Sequence, residues 1–117
     1  MRNDRPTQVR GDAAPVVVVG LDSITGLQTA RIFAWRGIPV LGMAEDLTHF
    51  CCRTRVCERI VRAELSGEAL VEALVELGSS LDQKAVLVPC TDLSVLAIAR
   101  RKGELEPAYH IALPEAD

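Results

Sequence analysis

The stretch VVVVGLDSITGLQTARIFAWRGIPVLGM, residues 16–43, decides the fold. Pro15 precedes Val16–Val19, a β-branched run with no polar position. A strand of that kind is buried on both faces, as central strands of parallel sheets are. Thr25-Gly26-Leu27-Gln28 then fits a capping box, with Thr25 at the N-cap and Gln28 at the third helical position. The helix that follows gathers Leu27, Ala30 and Ala34 on one face and keeps Gln28, Arg31 and Arg36 off it. Gly37 matches a left-handed cap at its end. Ile38–Met43 reads as a second strand, entered through Pro39. Strand, helix and strand make a βαβ unit, whose crossover is right-handed.

The alternation continues downstream. Residues 44–57 have no clear period and read as a loop with at most one helical turn. Arg59-Ile60-Val61 suggests a short third strand. Ser66 then caps an amphipathic helix with Leu70, Val71, Leu74, Leu77 and Leu81 toward the core and Glu68, Glu72 and Glu76 toward water. Those glutamates lie early in the helix, where its dipole favours negative charge. Ala85–Val88 is a fourth strand, stopped by Pro89. The next helix starts at Thr91 or Asp92, runs through Leu93, Leu96, Ala97 and Ala99, and ends in the cations Arg100, Arg101 and Lys102. His110–Leu113 reads as a last strand before Pro114. The expected fold class is α/β: a Rossmann-like open, mostly parallel sheet of four or five strands with helices on both faces. Residues 1–14 are expected to be a disordered tail, and residues 15–117 the domain.

Composition narrows the function. The chain has 117 residues, 49% apolar, 25% charged and 3% aromatic, with a net charge of −3. That length suits one domain, and the apolar content excludes intrinsic disorder. The acidic balance argues against a nucleic-acid partner. No apolar run approaches the roughly 18 residues that would span a membrane. Arg2, Arg5 and Arg10 precede an apolar run that stops after four valines at Gly20, too short for a secretory signal, so a cytoplasmic location is expected.

The four cysteines, Cys51, Cys52, Cys57 and Cys90, lack the paired short spacing of a zinc site. They are expected to be reduced thiols in structural roles. Neither His49 nor His110 has an evident partner for nucleophilic chemistry. Arg53, Arg55, Arg59 and Arg62 are interspersed with Glu58 and Glu64, the pattern of a solvated surface.

In open α/β sheets, ligands bind beyond the carboxyl ends of the strands, where strand order reverses. Two loops qualify: Gly20–Gly26 after the first strand and Pro89–Asp92 after the fourth. Each joins small residues, hydroxyls and a carboxylate to a helix N-terminus, which attracts anions. The first loop is no dinucleotide fingerprint, because Asp22 stands where the second glycine of G-x-G-x-x-G belongs. Glu45 and Asp46 do lie beyond the second strand, where a ribose-binding acid sits, so NAD binding is weakened rather than eliminated. Nor is the loop a Walker motif, since Leu27 rather than lysine follows Gly26. The aspartate and lysine of a phospho-acceptor receiver are missing as well. Helix capping alone is an equally good account of Thr25 and Asp92.

Val16–Gly20, Gly26–Arg31 and Arg36–Val40 together resemble the start of ATP-grasp carboxylate–amine ligases, and so do Val86–Asp92 and Ile111–Pro114. The resemblance covers about residues 15–115. It rests more on the order and spacing of these segments than on any one of them. It implies a pre-ATP-grasp domain, the Rossmann-like N-terminal module that supplies one wall of the substrate cleft. Such ligases activate a carboxylate as an acyl phosphate, which an amine attacks to give an amide. By that resemblance Asp22, Ser23, Thr25, Thr91 and Asp92 are the residues expected to face a small carboxylate or amino-acid substrate. Hydroxyls and helix N–H groups suit a carboxylate, and an aspartate suits an ammonium. ATP and magnesium are expected in the following ATP-grasp domain, whose ligands do not appear before Asp117, so this chain is expected to be inert alone and to bind no metal. A standalone module binding a nucleotide or amino acid is the alternative, and a homodimerisation domain without ligand is a third.

Overall fold

In the computed structural model, which describes residues 14–111, five strands form one sheet. They are β1 (Val16–Val19), β2 (Val40–Ala44), β3 (Arg59–Arg62), β4 (Ala85–Pro89) and β5 (Tyr109–Ile111). Their order is β3-β2-β1-β4-β5, and all four pairings are parallel. The α/β Rossmann-like expectation therefore holds. The expected tail, apart from Ala14, and the expected strand residues Ala112 and Leu113 lie outside the described residues.

The valine run explains itself in this frame. β1 is central, with Val17 opposite both Leu41 and Leu87, and all four valines are buried. Successive side chains enter opposite cores, as the two-residue period of a strand requires. Val17 and Val19 join Leu41, Met43 and Leu87 under three helices: α2 (Gly67–Ser79), α3 (Asp92–Arg100) and α4 (Lys102–Leu105). Val16 and Val18 join Val40 and Ala44 under α1 (Ile24–Trp35), with Cys52 of a 3-10 helix, Phe50–Arg53, and the following Val56 and Cys57 packed beside them. The connection from β2 to β3 supplies that single turn where a full helix would cover more of the face.

Local chemistry sets the element ends, and two expectations need correction. α1 is capped by Ser23 and not by Thr25: the Ser23 Oγ accepts from the Gly26 N–H at 3.0 Å and donates to the Gly20 carbonyl at 2.7 Å. Thr25 is already inside the first turn. β2 begins at Val40 rather than Ile38, because the Ile38 N–H is spent on the Phe33 carbonyl while that of Gly37, at φ +81°, goes to Ala34. This is a Schellman ending, which only a residue tolerant of positive φ completes cheaply. In α3, Leu93 and Leu96 do not face the core; they are 61% and 46% exposed. The buried face of α3 is Ser94, Ala97 and Ile98, because a reciprocal capping box between Thr91 and Ser94 turns Ser94 inward.

α2 follows its periodicity closely. Leu70, Val71, Leu74 and Leu77 are buried, Leu81 packs beside them, and Glu68, Glu72 and Glu76 are exposed. Ser66 is its N-cap by backbone geometry alone, since its side chain makes no cap bond.

Candidate functional site

The chain leaves β1 toward α1 on one face and leaves β4 toward α3 on the other. Between these neighbouring strands lies the switch point, and the two expected loops meet there. Gly20 holds φ +105°, and a Cβ on it would stand 2.9 Å from Thr91 Cγ2 and 3.6 Å from Cys90 Cβ. The Cys90 N–H donates to the Val19 carbonyl at 2.9 Å, continuing the β1–β4 ladder into the loops. The N–H groups of Gly20 and Leu21 both reach the Met43 carbonyl at 2.9 Å, which anchors the first loop to the end of β2.

The five expected site residues divide by what their side chains do. Ser23 is consumed by capping α1. Thr91 is consumed by capping α3: its Oγ1 accepts from the Ser94 N–H at 3.2 Å and donates to Ser94 Oγ at 2.8 Å. Asp22 serves as a clamp, its Oδ2 accepting from the N–H groups of Glu45 at 3.1 Å and Asp46 at 3.0 Å. That carboxylate is thus turned to the loop after β2, not to the Thr91 loop. Thr25 and Asp92 stand exposed in the first turns of α1 and α3. The first N–H groups of both helices lie beside them, and such groups have no partner within their own helix.

Gly26 has a role that the loop's letters do not disclose. A Cβ there would lie 2.0 Å from the Gly20 carbonyl oxygen, so α1 can approach the end of β1 only with glycine at this position. The only signal for it in the sequence is the glycine itself, one residue later than the dinucleotide pattern would have it.

The acids considered for a ribose are engaged locally. Glu45 Oε2 accepts from the Leu65 N–H at 2.9 Å. Asp46 Oδ1 accepts from the hydroxyl and the N–H of Thr48, and these bonds hold its carboxyl below the usual range. His49 is engaged structurally: its Nδ1 accepts from the Cys51 backbone N–H at 3.1 Å, and its ring stacks on Phe50. The four cysteines are free thiols. Burial pushes Cys57 up to about 11 and also raises Cys52 and Cys90, so these three are thiols, not thiolates, at neutral pH. Among the described residues, no helix is long and apolar enough to cross a membrane.

Capping predicts a simple asymmetry. Ser23→Ala should lower stability by about 1 kcal/mol, the usual cost of a lost N-cap, whereas Thr25→Ala should change it by only a few tenths. Urea unfolding of the two variants checks this, and the opposite ranking would return the cap to Thr25.

Fold and loops together define a Rossmann-like α/β domain with the carboxyl ends of β1 and β4 at its switch point. Compared with known proteins, the chain matches no family model and no curated sequence.

Proposed function

We propose that this chain is the substrate-side module of an ATP-grasp carboxylate–amine ligase, forming one wall of a cleft that a separate ATP-grasp domain completes. One observation carries the reading: the loops after β1 and β4 abut at the switch point, with Gly20 against Thr91. Three of the five loop side chains named above are spent on holding backbone. Such loops are rigid, and what they offer outward is two helix N-termini with Thr25 and Asp92 beside them. N–H groups and a hydroxyl suit a substrate carboxylate, and the Asp92 carboxylate suits an ammonium. This is binding and orientation. ATP and magnesium belong to the other domain, where the carboxylate would be activated as an acyl phosphate.

The competing reading is a standalone module for a nucleotide or amino acid. It fits less well, because Asp22 puts a side chain and a charge where a pyrophosphate needs bare backbone. Calorimetric titration with ATP–magnesium, NAD and a panel of amino acids separates the two. The ligase-module reading expects no tight nucleotide binding by this chain. Micromolar binding of ATP or NAD would overturn it, as would a gene in which no ATP-grasp reading frame accompanies this segment.

A further inference from the structure

A second surface lies away from the switch point, on the outer side of α1. Aromatic residues are scarce in this chain, which has one Trp, one Tyr and two Phe. Two of these four stand in water on this face: Trp35 is 89% exposed and Phe50 63%. Ile24 and Ile32, 55% and 53% exposed, fall on the same helical stripe as Trp35. Beside the stripe, α1 and the 3-10 helix enclose a groove of about 380 Å³, with Leu27 and Cys51 among its lining and Arg31 and Arg53 from opposite walls. The groove exists because the β2–β3 connection covers this side of the sheet with only one turn.

The groove itself is cationic. Its lining carries Arg31 and Arg53 and no aspartate or glutamate. The chain as a whole is acidic, with net charge −3, so the groove is opposite in sign to the chain. Exposed Trp beside Arg is the composition of interface anchors.

We propose that this face docks a helical segment of another protein that is apolar along one side and flanked by carboxylates. The stripe from Ile24 to Trp35 runs about 16 Å at the ~1.5 Å rise of a helix, so it matches a partner helix of about three turns. The arginines select the partner's charge. A two-fold pairing of this face with a second copy would set Arg31 and Arg53 against the same arginines, a like-charge cost that disfavours it. A membrane surface would meet the apolar rim but leave the concave groove unfilled, whereas a helix can insert side chains into it. This proposal is independent of the ligase reading, which concerns the loops at the switch point.

Trp35 is the only tryptophan, so its fluorescence reports this face directly. The probes are two synthetic amphipathic peptides with one shared leucine stripe, one flanked by glutamates and the other by lysines. The glutamate peptide should shift Trp35 emission to the blue and saturate; the lysine peptide should not. The double variant R31E/R53E should bind the glutamate peptide about tenfold more weakly or worse. Ile32→Asp should weaken binding as well, with circular dichroism unchanged for both variants because these side chains are exposed. Four results would overturn the proposal: equal binding of the two peptides, no shift with either at millimolar concentration, a shift on raising the chain's own concentration with a doubled mass by light scattering, or a shift with phosphatidylserine vesicles and none with the glutamate peptide.

Discussion

Gly26→Ala should destabilise the domain by about 3 kcal/mol or more, a large share of the stability of a domain this size. The sign is itself the test, because glycine-to-alanine inside a helix ordinarily gains up to about 1 kcal/mol. Here the new methyl would stand 2.0 Å from the Gly20 oxygen, 2.7 Å from its carbonyl carbon and 3.1 Å from Leu21 Cα. All three are backbone atoms, so no rotamer change relieves the overlap. Either α1 lifts off β1, or the Gly20 turn moves and breaks its bonds to the Met43 carbonyl. Both responses also open the switch-point loops. Urea unfolding measures the loss, and a neutral or stabilised variant would mean that α1 does not rest on Gly20.

Tyr109 should produce the other large effect. It is 1% exposed on β5, its hydroxyl donates to the Leu74 carbonyl at 2.6 Å, and its ring lies against Gly78. Tyr109→Ala should lose about 3–5 kcal/mol through the cavity, while Tyr109→Phe should lose only about 1 kcal/mol for the hydrogen bond. The pair therefore separates packing from bonding. Burial also raises the phenol above its ordinary 10.0, and Cys57 is raised from 9.0 to about 11. Both groups are neutral in the fold at pH values where the unfolded chain has begun to ionise them. Their contribution is therefore complete below the unfolded values and is lost as pH rises past 9 for the thiol and past 10 for the phenol. Urea midpoints measured from pH 8 upward should fall along that course. In Tyr109→Phe the fall above pH 10 should be shallower, and an equally steep fall would assign the loss to other groups.

The fold was legible wherever one pattern left one solution. Four consecutive valines fit only a strand buried on both sides, and the leucine spacing of α2 fits only one helical face. Legibility ended where two residues satisfy the same rule. Ser23 and Thr25 are both good caps, and the choice depends on how close α1 must come to Gly20, which is a matter of three dimensions. Leu93 and Leu96 look like core letters, yet the neighbouring Ser94 takes the inward position to complete a cap.

For the candidate site, the place of the loops in the fold was readable and the bonding of their side chains was not. Strand endings located the two loops, but Asp22 finds its partners at Glu45 and Asp46, across a whole helix and strand. The groove on the outer side of α1 was harder still. Arg31 and Arg53 belong to separate segments, and Arg53 read alone belonged to a run of mixed charge. Only the short β2–β3 connection brings the two together.

The place of β1 in the sheet also governs the order in which the molecule can assemble. Its partner on one side, β2, follows within the first βαβ stretch, but its partner on the other side is β4, which begins at Ala85. A chain emerging from the ribosome therefore carries its most apolar strand with one edge unpaired until nearly three-quarters of the described residues have been made. Such an edge invites pairing with other chains. In this domain, protection from aggregation is thus a matter of timing, and it rests on how quickly α2 delivers β4 to the open side of β1.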